Sequence, residues 1–195
     1  MSTRDTLEQI HTDMENDDAL PLYGSAHLVF GEGDPYARVM FIGEAPGRKE
    51  DELRRPFVGQ SGKLLDKMLV QIGWSRDSVY ITNIVKRRPP ENRDPNPEEI
   101  AAYRPYLKRQ IESVDPELIV TLGRFSMHYF LPDETISSAH GREFNIDGKK
   151  YSVMPVYHPA AALRSGKMMQ AFADDFKKLA TRADKDRERV LTIEK

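Results

Sequence analysis

Four short apolar runs constrain this chain more than any other feature. Arg38 to Gly43 (RVMFIG) stops at a glycine. Ser78 to Asn83 (SVYITN) and Glu117 to Leu122 follow, and a fourth run ends at Val156, just before Tyr157-His158-Pro159. Runs of this length that are apolar nearly throughout suit strands buried on both faces, as in parallel sheets. The segments between them have helical spacing. Ser61 to Ile72 carries Leu64, Leu65, Met68, Leu69 and Ile72 before a stop at Gly73. Pro97-Glu98-Glu99 opens a helix to about Ser113, with Pro105 inside it expected to produce a kink. Gly123 to Leu131 reads as a short helix and Met168 to Leu179 as a last amphipathic one; Leu7, Ile10 and Met14 mark a weaker helix over 5–15. Asp147-Gly148, between the alternating segments of Arg142 to Val156, predicts a hairpin. Strands alternating with helices predict an α/β class: three α/β/α layers around a central, mainly parallel four-stranded sheet. Residues 1–195 are expected to form a single domain, with an N-terminal arm over about 1–24 and a charged tail over about 184–195 that is free to fray.

Composition removes several chemistries. The 195 residues include no cysteine, so disulfides, thiolate-held iron–sulfur clusters and cysteine zinc sites are excluded. His11, His27, His128 and His140 lack metal-ligand spacing, and no metal site is expected. The net charge of −2 decides nothing about nucleic acid, because only the local distribution of charge matters. No apolar run approaches the ~20 residues of a membrane-spanning helix. The N-terminus has no signal-peptide core. A soluble, cytoplasmic protein is expected.

In open parallel sheets, ligands bind at the carboxyl ends of the strands. The loops there carry the unusual residues. Gly43-Glu44-Ala45-Pro46-Gly47 lets backbone N–H groups approach a ligand and aims a carboxylate from Glu44; it also reads as an ordinary turn with a solvated Glu. Phe57, between Pro56 and Gly59, is either a core side chain or a platform for a planar base. Asn83 offers a donor and an acceptor, which suit the polar edge of a base or the tying of a loop. His158 stands in a strand-end loop, where structural and catalytic roles are both open. Ala161, Ala162 and Leu163 with Arg164 form a small apolar tip with a basic flank that could enter a duplex; they could equally just start a helix. Lys86, Arg87 and Arg88, beside Asn83, are candidate phosphate contacts.

Together these segments resemble the uracil-DNA glycosylase superfamily, specifically its family four. The resemblance rests on VFGEG at 29–33, GEAPG at 43–47, the acidic Glu50-Asp51, RPFVG at 55–59 with Gly62, VYITNIVK at 79–86 with RPPENR, TLG at 121–123 and HPAAALR at 158–164. It implies hydrolysis of the N-glycosidic bond of uracil in DNA to leave an abasic site. Glu44 and His158 would be catalytic: Glu44, Ala45 and Gly47 line the pocket and position water, while His158 stabilises charge on uracil O2. Gly43, Pro46, Phe57 and Asn83 would complete the base pocket, with Phe57 stacking and Asn83 reading. Lys86 to Arg88 and Ala161 to Arg164 would meet DNA, single- or double-stranded, and the protein would act as a monomer. Another deaminated base such as hypoxanthine remains open, as does a non-catalytic binder of damaged DNA on the same fold. Family four implies a [4Fe–4S] cluster on four cysteines. The matching positions here are Asn16, Ala19, Arg87 and Ala102, so no cofactor is expected. Packing of Leu20, Leu22, Tyr103 and Tyr106 is expected to brace the arm instead, with Arg87 adding a phosphate contact.

Overall fold

The computed structural model describes residues 3–193, and side chains over 6–182. Its centre is a six-stranded sheet in the order β1-β3-β2-β4-β6-β5. The four inner strands are β2 (Val39–Gly43), β3 (Tyr80–Asn83), β4 (Leu118–Leu122) and β6 (Ser152–Val156). All four run parallel. They are the apolar runs of the sequence, and almost every residue in them is buried. Two short strands, β1 (Glu32–Gly33) and β5 (Phe144–Asn145), add antiparallel at the two edges. The expected four-stranded sheet is therefore extended to six. A two-residue strand leaves no periodicity in sequence; only β5 had a signal, the Asp147-Gly148 hairpin.

Successive strand residues face opposite layers. Met40, Ile42, Tyr80, Ile119 and Val153 pack on helices α1 (Thr3–Glu15) and α4 (Pro97–Val114), through Leu7, Ile10, Met14, Tyr103, Leu107 and Ile111. Phe41, Ile81, Val120 and Met154 face the other layer, built from α3 (Gln60–Gln71) and α8 (Gly166–Ile193) with Leu65, Leu69, Phe172 and Phe176. Between these come α2 (Arg48–Leu53), α5 (Arg124–Phe130), α6 (Ile136–Ala139) and α7 (Pro159–Arg164). Helix α4 starts on a reciprocal cap between Asn96 and Glu99 and continues through Pro105 to Val114 as one element. Helix α8 extends well past the expected Leu179. The expected fraying beyond residue 183 concerns side chains outside the described range.

The N-terminal arm is tied to α4 by three polar contacts. Tyr103 is fully buried and donates its hydroxyl to Pro21 O at 2.7 Å. Tyr106 donates to Asp17 Oδ2 at 2.6 Å, and Arg109 bridges to Asp13 at 2.6 Å. Leu20 is buried against the same core, with Leu22 partly buried beside it. The residues expected to brace the arm do so. Tyr103→Phe removes one buried bond and should lower stability by about 1 kcal/mol. Denaturant unfolding would measure that loss, and limited proteolysis should show faster cleavage in residues 16–24.

Candidate active site

A cavity of about 380 Å³ opens at the carboxyl end of the sheet. Strand β2 delivers Glu44, Ala45 and Gly47 to it, β3 delivers Asn83, and the loop after β6 delivers His158. Phe57, from the segment between α2 and α3, closes one wall. Parallel pairing sets Gly43 beside Asn83 in register, which is why two residues forty positions apart share one floor. A Cβ on Gly43 would fall 2.5 Å from Asn83 Oδ1 and into the Phe57 ring, so only glycine admits both side chains. Gly43 and the buried Pro46 thus support the lining rather than belong to it.

The polar groups are poised by burial. Asn83 is 2 % exposed, and its Oδ1 is buried with no hydrogen-bond partner. Leaving such an acceptor unpaired costs about 1–3 kcal/mol, which a ligand donor would recover. Burial, with Asp94 adding to it and Arg124 opposing it, pushes the Glu44 carboxyl up to about 7. His158 moves the other way: burial and the Arg164 cation take it down to about 4, against a small opposing pull from Glu50. The imidazole is therefore neutral near pH 7. Its Nδ1 accepts from Ala160 N at 3.1 Å, so the ring proton sits on Nε2, a free donor. The Phe57 and His158 rings lie 6.1 Å apart, centroid to centroid. Phe57 packs in the core cluster and also lines the cavity.

The structure adds residues that sequence reasoning missed. In sequence Glu50 stands out only as part of an acidic stretch. Its Oε1 accepts from Val58 N at 2.9 Å and Gly59 N at 2.7 Å, fixing the Phe57 loop. Asp94 lines the cavity and pairs with Arg124 at 2.9 Å. Gln60 and Ser61, at the start of α3, also line it. Spacing could not reveal these contacts, because the residues come from separate elements.

Three expected DNA contacts are corrected. Lys86 is fully buried and donates from Nζ to Thr82 Oγ1 at 2.5 Å, on the side of β3 away from Asn83. Arg87 is 3 % exposed, and its guanidinium lies 5.0 Å from the Tyr23 ring centroid, with Nε and Nη1 unpartnered. Ala162 is packed in the core, because α7 turns it toward α8. Neither Lys86 nor Arg87 reaches solvent, so neither meets a phosphate on this surface. Arg88 is half-buried and donates to Asn92 Oδ1 at 2.7 Å. Ala161 is half-buried beside the cavity, while Leu163 (46 % exposed) and Arg164 project from α7.

Set against known proteins, residues 30–181 match the family model of the uracil DNA glycosylase superfamily. The chain belongs to that superfamily. A type-4 uracil-DNA glycosylase of Saccharolobus solfataricus is 49 % identical over 161 residues, covering 78 % of this chain and 74 % of its own length. One from Archaeoglobus fulgidus is 46 % identical over 160 residues, covering 78 % and 80 %. One from Sulfurisphaera tokodaii is 44 % identical over 184 residues, covering 90 % and 84 %. The thiolate cluster implied by family four does not fit this superfamily member. It has no cysteine anywhere, and Arg87 puts a buried cation at one of the four matching positions.

Burial holds Lys86 well below its ordinary value of 10.5. Between that lowered value and 10.5 the unfolded chain binds a proton that the folded chain does not, so stability falls as pH drops through this window. Lys86→Met should therefore raise stability, most at the lower pH, and flatten its pH dependence. Thermal melts across pH 6–10 would show it; a melting point below that of the parent would contradict a cost of burying this amine.

Proposed function

We propose that this chain is a monofunctional uracil-DNA glycosylase, a single domain acting as a cytoplasmic monomer without a cofactor. The observation that carries the reading is the pairing, in one cavity, of an orphaned Asn83 acceptor with a neutral His158 donor. Uracil presents a donor at N3 and acceptors at O2 and O4. Asn83 Oδ1 suits N3–H, its Nδ2 suits O4, and His158 Nε2–H suits O2. Phe57 offers its ring as the stacking wall for a base turned out of the helix. The type-4 relatives carry this activity in their names. Among the described residues, no helix is long and apolar enough to cross a membrane.

The chemistry follows from those groups. As the bond between C1′ of the sugar and N1 of uracil breaks, its electron pair leaves with the base and spreads onto O2. Positive charge remains on the sugar. A hydrogen bond from neutral His158 strengthens as O2 gains charge, so it favours the transition state over the ground state. Glu44, when ionised, offsets the sugar charge and accepts the proton of the water that attacks C1′. The uracil anion then takes a proton from solvent at N1 and Glu44 returns its proton to solvent, leaving free uracil and an abasic sugar. Leu163, exposed on α7, would fill the space the base leaves.

The test is excision from single-stranded and duplex oligonucleotides carrying uracil, read by alkaline cleavage, with hypoxanthine oligonucleotides alongside. His158→Ala and Asn83→Ala should each reduce kcat/KM by about 10²–10³-fold. With Glu44 near 7, kcat/KM should climb as pH rises through 7, and Glu44→Gln should abolish that limb. Uncut DNA that stays bound would favour a non-catalytic binder. Full activity in both the His158 and Asn83 variants would overturn the site.

A further inference from the structure

Phe57 is held in a conformation that a bulky side chain avoids. Its φ is +51°, in the left-handed region. Such a residue costs roughly 1–3 kcal/mol, and it persists only where its surroundings over-determine it. The surroundings here are unusual. On one side Glu50 grips the two amides that follow Phe57. Beneath, α3 passes so close that a Cβ on Gly62 would overlap the Phe57 carbonyl. On the remaining side is Arg76, from the short 3-10 turn ahead of β3, a residue outside every segment that points to the pocket.

The Arg76 guanidinium turns both of its terminal nitrogens on this one turn. Nη1 donates to Phe57 O at 3.1 Å, and Nη2 donates to Pro56 O. Its own orientation is set by two carboxylates: Nε meets Glu32 Oε1 at 2.5 Å and Nη1 meets Asp66 Oδ1 at 2.9 Å. Glu32 is held in turn by Arg55, which donates to its two oxygens at 2.7 and 3.0 Å. The Arg76 side chain is only 16 % exposed, so these bonds are shielded from water. A planar, rigid fork can span two adjacent carbonyls while its other edge is fixed by carboxylates; a lysine ammonium cannot.

We propose that Arg76 is a positioning residue for the base pocket: by clamping the Pro56 and Phe57 carbonyls it holds the Phe57 ring as the stacking wall. The proposal rests on the reading of Phe57 as the stacking platform. Stacking acts alike on the bound substrate and the transition state, so its loss falls on KM. A purely structural role would instead reduce the active fraction and thus kcat.

The experiment measures kcat and KM on a uracil oligonucleotide for Arg76→Met, Arg76→Lys, Phe57→Ala and the Arg76→Met/Phe57→Ala double variant, with thermal melts to confirm folding. Arg76→Met should raise KM about 10-fold with kcat changed by less than about 3-fold, and Arg76→Lys should recover part of the loss. The double variant should match Phe57→Ala alone, because the clamp then has nothing to position. Should Arg76→Met not fold, Asp66→Asn loosens the same fork from its more exposed side and should raise KM about 2–3-fold in the parent but not in Phe57→Ala. Wild-type kinetics in Phe57→Ala would overturn the stacking reading and the clamp with it. An impaired Phe57→Ala with additive effects, or a loss confined to kcat, would overturn the role of Arg76 alone.

Discussion

The parallel ladder between β2 and β3 is the constraint on which the rest depends. It sets Gly43 opposite Asn83, so the carboxyl ends of two central strands finish level. Everything chemical in the cavity is placed relative to that level. Glu44 is the next residue beyond β2, and Asn83 is the last of β3. Pairing of β4 with β6 carries the frame across the sheet to His158. A slip of one residue in the β2–β3 pairing would send Asn83 to the opposite face, into the layer of α1 and α4.

Within that frame, burial assigns chemistry. The same low-dielectric cleft keeps a carboxyl partly protonated near neutral pH and keeps an imidazole uncharged, because it disfavours both charged forms. A cationic His158 would bind an anionic base strongly but would already be costly in the empty cleft. A neutral one, with its tautomer fixed by Ala160 N, is a preorganised dipole that costs nothing to reorganise. The aromatic wall is preorganised in the same sense, since a strained backbone gripped by Glu50 and Arg76 holds one ring position.

The arm shows how a scaffold of this superfamily is braced without thiolates. Two tyrosine hydroxyls reach from α4 to the arm, to Pro21 O and to Asp17. Arg87, over the ring of Tyr23, fills the space between arm and loop. Its buried, unpartnered nitrogens are the least satisfied polar atoms of this region. The α4 contacts are legible in sequence as Tyr103 and Tyr106 on one helical face. The burial of Arg87 is not, because a run of Lys and Arg beside prolines looks like a basic loop wherever it goes.

The sequence by itself determined the sheet class and the four inner strands, because strand-length apolar runs leave a parallel sheet few alternatives; its resemblance to a family singled out Glu44, Phe57, Asn83 and His158, which the fold brings to one cavity. Tertiary structure alone decided the rest. Lys86 lies three residues past Asn83, yet its side chain turns inward to Thr82, since nearby charges carry no address until the chain is packed. Ala162 joined the core rather than the tip for the same reason. Glu50, Asp94 and Arg76 act through contacts eight or more residues away in sequence, the Phe57 clamp spanning nineteen. Local pattern encodes which face of a strand or helix is buried; it does not encode which loop will lie across it.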